Sequence, residues 1–157
     1  MKVLVIGSDG QLGLEFQKIS KSLDSLSWVF STIKTLDLLS LDTINSFLNN
    51  INPTIIINCA AYTSVDKAET ESRLANIINF KAVDIISKWT INNNKKLIHV
   101  STDYVFDGLS NIPLSENSKT KPVNEYGSSK LKGEVACLKN DPNSIIIRTS
   151  WLYSSFG

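Results

Sequence analysis

At 157 residues, with 42% hydrophobic and 20% charged residues, the chain has the size and composition of one globular domain with a sizeable core. A net charge of +1 excludes the strongly basic surface of a nucleic-acid binder, and no apolar run approaches the ~20 residues of a membrane span. Cys59 and Cys137 form no CxxC pair and read as buried thiols of a reducing, cytoplasmic compartment, not as a disulfide or a metal pair. The opening Met1–Gly7 stretch is too short for a signal peptide and runs straight into a glycine motif.

Val3–Ile6 reads as a short buried strand. It is followed by Gly7-Ser8-Asp9-Gly10-Gln11-Leu12-Gly13 and a helix from Leu12 to about Lys21, with Leu12, Phe16 and Ile19 at helical spacing. Strand, glycine turn and helix form the context of a dinucleotide fingerprint, here spaced GxxGxxG. Gly7 would make the tight turn, Gly10 would admit a pyrophosphate, and Gly13 would let helix pack on strand, with the helix-start amides facing the phosphates. Trp28–Ile33 reads as the second strand. Its end carries Thr32 and Lys34 where an NAD-preferring unit places an acid for the ribose hydroxyls, which leans the cofactor from NADH towards NADPH. Leu36-Asp37-Leu38 reads as a short third strand. Ser40, Asp42, Ile44, Phe47 and Leu48 read as a capped helix ending near Asn49-Asn50.

Thr54–Ala61 is an unbroken run suited to a central parallel strand, and Ala60 and Ala61 would let a cofactor lie against its carboxyl end. Helical segments follow at Val65–Glu69 and from about Ala75 to Thr90, the latter with a stripe of Ile78, Ala82, Ile85, Ile86 and Trp89 facing the core. Leu97–Val100 is the next strand, with His99 a core position. Ser101-Thr102-Asp103-Tyr104 then place hydroxyls at the strand end, where ligands of open α/β sheets bind. Phe106 to Lys121 reads as a loop. Ser144–Arg148 is a further buried strand, and Thr149–Tyr153 leads out of it. Apolar runs alternating with helical stretches predict an α/β, doubly wound parallel sheet of Rossmann type in three layers, α/β/α.

Between the last two strands, Asn124 precedes Tyr126-Gly127-Ser128-Ser129-Lys130, and Leu131, Val135 and Leu138 continue a helical period. Tyr126 and Lys130, four apart, share one helix face. There the ammonium would pull the phenol below its usual pKa, and the phenol could hand a proton to a carbonyl oxygen.

Several stretches occur together and in order: Gly7–Gly13, Asn58–Glu69, Ser101–Gly108, Asn124–Gly127 with Lys130, Gly133 and Glu134, and Arg148–Tyr153. Together they resemble the extended short-chain dehydrogenase/reductases, and within them the dTDP-4-dehydrorhamnose reductase family. The resemblance implies NADPH- or NADH-dependent reduction of the C4 ketone of a dTDP-6-deoxy-4-ketohexose to dTDP-L-rhamnose. It makes Tyr126 the proton donor, Lys130 the ribose-binding ammonium and Thr102 the hydroxyl that orients the ketone. Asp103 and Trp151 would touch the sugar. Gly7, Gly10, Gln11, Leu12 and Gly13 would hold the pyrophosphate loop, Asp37 and Leu38 would lie near adenine, and Ala61, Tyr62, Thr63 and Val100 would line the remaining path.

The family continues into a smaller lobe that grips the nucleotide sugar and is missing from this sequence, so residues 1–157 are expected to form the NAD(P)-binding domain. The Mg²⁺ found in some members would find its ligands in that lobe, leaving no metal site here. An apolar seam at Trp151, Leu152 and Phe156 would be left open, and a homodimer fits the family. Two other readings belong to the same sequence: a non-catalytic NADP-binding regulatory subunit of the same fold, and a different nucleotide-sugar reductase or epimerase.

Overall fold

The computed structural model describes residues 1–156. Five strands form one parallel sheet: β1 (Lys2–Ile6), β2 (Ser27–Ser31), β3 (Ile55–Asn58), β4 (Lys96–Thr102) and β5 (Ile145–Thr149), in the order β2-β1-β3-β4-β5. The order reverses between β1 and β3, so the loops leaving these two strands diverge and leave a crevice at their carboxyl ends. Registers such as Ile6↔Asn58 and Thr102↔Thr149 bring the four strand ends from β1 to β5 to one edge.

Side-chain alternation divides the core. Leu4, Ile6, Ile56 and Leu97 face α2 (Leu41–Ile51), α5 (Ala82–Asn92) and Cys137 of α6 (Glu125–Asn140). Val3, Val5 and Ile57 face Phe16 of α1 (Gln11–Ser20) on the other side. The three layers are therefore real but unequal. A single helix covers one face, and Ile145 and Ile147 on edge strand β5 stay 54% and 45% exposed. Trp89 is core as its spacing predicts; its indole donates to Asn49 Oδ1 at 2.7 Å and ties α5 to α2.

Leu36-Asp37-Leu38 is not a strand. It lies in the β2–α2 connection with no ladder partner, and Leu36 and Leu38 are buried as plugs against the main core instead. β2 stops at Ser31, because Thr32 accepts turn bonds from Thr35 and Leu36. The helical run expected to begin at Ala75 has three parts: α4 (Ser72–Asn76), a π-helical turn (Ile77–Lys81) and α5, preceded by the short α3 (Val65–Ala68). On α6, Val135 and Leu138 are 58% and 45% exposed. The buried face is instead Tyr126, Ser129, Lys130, Gly133, Glu134 and Cys137. Tyr126 and Lys130 on this side reach the crevice, Ser129 is bonded to Asn79 and Glu134 to Arg148, and Gly127 and Gly133 let the carbonyls of Tyr104 and Asn79 come within distances that no Cβ would tolerate.

Candidate functional site

A cleft of about 650 Å³ opens along the carboxyl edge of the sheet. At one end, Gly7 has φ +79°, and a Cβ there would sit 2.6 Å from Ala60 N. A Cβ on Gly13 would overlap the Gly7 carbonyl and Ser8. Both positions require glycine, as their spacing predicts. Gly7 N and Ser8 N both donate to Ser31 O at 2.9 Å, pinning the loop to β2. Gly10 differs: nothing lies nearer its missing Cβ than Gly7 O at 3.5 Å. Above it no side chain caps α1, and Gln11 and Leu12 line the cleft. Open space over uncapped helix-start amides fits a pyrophosphate.

Thr32, Asp37 and Leu38 line the same end of the cleft, and Asp37 Oδ1 accepts from Leu39 N at 2.9 Å. Ala61 and Thr63 form part of the wall after β3, with Cys59, which is only half-buried, beside them. Tyr62 is not brought into the cleft by its side chain: the phenol donates to Glu71 Oε2 at 2.5 Å. Its backbone is clamped by Asn79, which accepts from Tyr62 N at 2.9 Å and donates to Tyr62 O at 3.0 Å and to Ser129 Oγ at 2.9 Å. Asn79 thus ties the post-β3 loop to α6. Its signal in the sequence was a lone amide inside an apolar helical stripe.

α6 begins at Asn124, whose Oδ1 accepts from Gly127 N at 2.7 Å. This places Tyr126 in the first turn, beside the end of β4, where Thr102, Asp103 and Tyr104 also line the cleft. Tyr104 meets Tyr126 edge-on with ring centroids 5.5 Å apart. Lys130, 2% exposed, donates from Nζ to Val100 O at 2.7 Å. Burial pulls its pKa down to about 8, against the opposing pull of Glu134.

The tyrosine differs from expectation. Burial, with Asp103 and Tyr104, holds the Tyr126 phenol above its usual value, while Thr102 pulls the other way. The Lys130 ammonium, expected to pull the phenol down, donates to the Val100 carbonyl instead. A raised pKa keeps the phenol protonated, as a proton donor needs to be.

Beyond the tyrosine, Asp103 accepts from Thr102 Oγ1 at 3.2 Å and from Ser150 Oγ at 2.7 Å. Ser150 was missed at the sequence level because it gains meaning only when β4 and β5 end side by side. Trp151 follows, 93% exposed with φ +49° on the cleft rim. Tyr153 and the expected seam residues Leu152 and Phe156 are also exposed. His99 is fully buried, as expected, its Nδ1 3.1 Å from Asn58 Nδ2.

A parallel sheet with a reversal point, a glycine loop at that point and a cleft above it defines a Rossmann-type α/β domain. The family model described as "RmlD substrate binding domain" matches residues 1–157, and the chain belongs to that family. Similar proteins include dTDP-4-dehydrorhamnose reductases of Salmonella typhimurium and of Escherichia coli, each 39% identical over all of this chain and 53% of their own length. The chain spans about half the length of the curated relatives it matches. Among solved structures, a dTDP-4-dehydrorhamnose reductase from Clostridium acetobutylicum superposes with TM-score 0.94 at 36% identity, over 99% of this chain and 55% of that one. One from Bacillus anthracis, solved in complex with NADP, superposes with TM-score 0.93 at 35% identity, over 99% and 55%. Among the described residues, no helix is long and apolar enough to cross a membrane.

Proposed function

We propose that residues 1–157 are the NAD(P)-binding, catalytic half of a dTDP-4-dehydrorhamnose reductase, a cytoplasmic enzyme of nucleotide-sugar biosynthesis that reduces the C4 ketone of dTDP-4-dehydro-L-rhamnose. The observation that carries this reading is the placement of Tyr126 and Lys130 on one face of α6, opening on the same cleft as the glycine loop.

When bound, the dinucleotide supplies hydride to the ketone carbon. The α1 amides and Gly10 receive its pyrophosphate, Asp37 and Leu38 flank the adenine, and the Lys130 ammonium meets the ribose hydroxyls. Thr102 orients the ketone oxygen, and Tyr126 gives that oxygen its proton as negative charge develops there. Burial keeps this proton on the phenol until then. Asp103, held by Ser150, accepts a sugar hydroxyl, and Trp151 offers its ring face to the hexose. NADPH is preferred over NADH, because the β2 end carries Thr32 and Lys34 and no acid to oppose a 2′-phosphate.

Fluorescence titration of this chain with NADPH and NADH tests the cofactor site. Oxidation of the bound cofactor on adding dTDP-4-dehydro-L-rhamnose to the full-length protein tests the reaction. Failure to bind either cofactor removes the proposal; binding without turnover removes the activity and leaves a regulatory NADP-binding module.

A further inference from the structure

The Val65–Glu69 stretch is prominent in the sequence, yet its last two residues, Ala68 and Glu69, lie outside the cleft lining. α3 is four residues long, too short to stand on its own hydrogen bonds. It is held from outside, against the start of α6. Ala68 is fully buried and shares one packed cluster with Tyr126 and with Ala75 of α4, against which Val65 and Tyr62 also pack. Glu69 is exposed, but its Oε1 accepts from Glu125 N at 2.9 Å, across 56 residues of chain.

That bond matters because of where it falls. The first amides of a helix have no partner within it. In α6, Asn124 offers its Oδ1 to Gly127 N at 2.7 Å and its carbonyl to Ser128 N at 3.0 Å. Glu125 N is met by Glu69 instead. Tyr126 stands between the two side-chain-capped amides, with its ring in the Ala68 cluster. Ser129 Oγ donates to the Tyr126 carbonyl at 2.7 Å and closes the turn from the other side. The end of α3 therefore holds both the backbone just before the phenol and the ring that carries it. A single exposed bond contributes too little to decide whether the chain folds. A terminal turn frays easily, however, and one bond there changes how often it is closed.

We propose that Glu69 is a positioning residue: together with Ala68 it seats the first turn of α6, and so holds the Tyr126 phenol in the cleft without touching substrate or cofactor. The proposal rests on the reading of Tyr126 as the proton donor. What it requires of Glu69 is an acceptor oxygen, not a charge. One stretch of chain then runs from the cleft wall at Ala61 and Thr63 to the seat of the phenol, and sets the two against each other.

The test uses the full-length protein and two readouts, one of which needs no activity. Glu69→Ala removes the acceptor, and Glu69→Gln keeps an oxygen at the same reach. With saturating NADPH, turnover of dTDP-4-dehydro-L-rhamnose should fall by about tenfold in Glu69→Ala and stay within about twofold in Glu69→Gln. NADPH affinity and the KM for the sugar should stay within about twofold in both. Without cofactor, NMR follows hydrogen exchange at the Glu125 amide and the ring resonances of ¹³C-labelled Tyr126, which the edge contact with Tyr104 shifts. Glu69→Ala should speed that exchange by about tenfold and move the ring resonances, and Glu69→Gln should do neither. Turnover or ring resonances unmoved in Glu69→Ala overturn the proposal. So does an equal loss in Glu69→Gln, or a loss of NADPH affinity that matches the loss of turnover, the mark of a loosened fold. A Glu69→Ala protein that does not fold overturns it as well, because the bond is then not local to the α6 start. If the unaltered protein does not reduce the ketone, the reading of the reaction falls, and the exchange and ring data alone decide whether Glu69 seats Tyr126.

Discussion

Lys130 Nζ donates to Val100 O at 2.7 Å, so the one fully enclosed ammonium of α6 is bonded to the backbone of β4. Burying a charged amine with a neutral acceptor costs stability, and its pKa near 8 expresses that cost. Lys130→Met should therefore stabilise the unliganded chain at pH 7, by on the order of 1–3 kcal/mol, while weakening NADPH binding. The sign with pH is fixed. Between about 8 and the usual lysine value the unfolded chain holds the proton that the folded one has lost, so wild-type stability rises with pH there. The advantage of the Met variant should shrink over that window, as denaturant melts from pH 7 to 10.5 would show. A Met variant less stable than wild type at pH 7 would contradict the burial argument.

Tyr126→Phe tests the proton donor. The ring keeps its edge contact with Tyr104 and loses only the hydroxyl. In the full-length protein, turnover should drop by about 10²–10⁴-fold with cofactor affinity unchanged within about twofold. Because the phenol sits above its usual pKa, wild-type turnover should also show no loss of this acid below pH 9. Steady-state rates across pH, beside an NADPH titration of each form, decide both points.

Much of this was legible in the sequence because its signals are local. The Val3–Ile6 and Ile55–Asn58 runs, the Gly7–Gly13 spacing and the Asn124 cap all act within a few residues. What escaped depends on contacts between distant segments. Leu36-Asp37-Leu38 has strand-like residues but no ladder partner. Asn79, Ser150 and the Glu134–Arg148 pair acquire roles only across 14 to 50 residues of chain. The bond of Lys130 to the Val100 carbonyl escaped too, because spacing of four fixes a shared face, not the direction in which an ammonium points.

Cofactor preference turns on the end of β2. Ser31 Oγ and Thr35 Oγ1 lie 3.0 Å apart, Thr35 Oγ1 accepts from Thr32 N at 3.0 Å, and Lys34 follows in an exposed turn. Thr32→Asp places a carboxylate where a 2′-phosphate would sit. The ratio of NADPH to NADH affinity should fall by about tenfold or more, mostly through loss of NADPH, by charge repulsion worth roughly 1–2 kcal/mol. Parallel titrations with both dinucleotides measure it. An unchanged ratio would place the adenosine ribose elsewhere.

Two glycines three residues apart should respond oppositely to the same methyl group. At Gly13 a Cβ would run into the Gly7 carbonyl and Ser8, which are backbone atoms that cannot move aside. Gly13→Ala should destabilise the chain by roughly 2–4 kcal/mol and lose cofactor binding as a consequence. At Gly10 the nearest atom is Gly7 O at 3.5 Å, ordinary contact, and the backbone is extended with φ −81°. Gly10→Ala should melt within a degree or two of wild type, since φ is permitted and nothing collides. Its methyl would nevertheless stand over the α1 amides, where a pyrophosphate has to approach. NADPH affinity should fall at least tenfold in a chain whose fold is intact, measured by calorimetry beside thermal melts. A Gly10→Ala chain that binds NADPH as wild type does would mean the phosphates do not cross this loop.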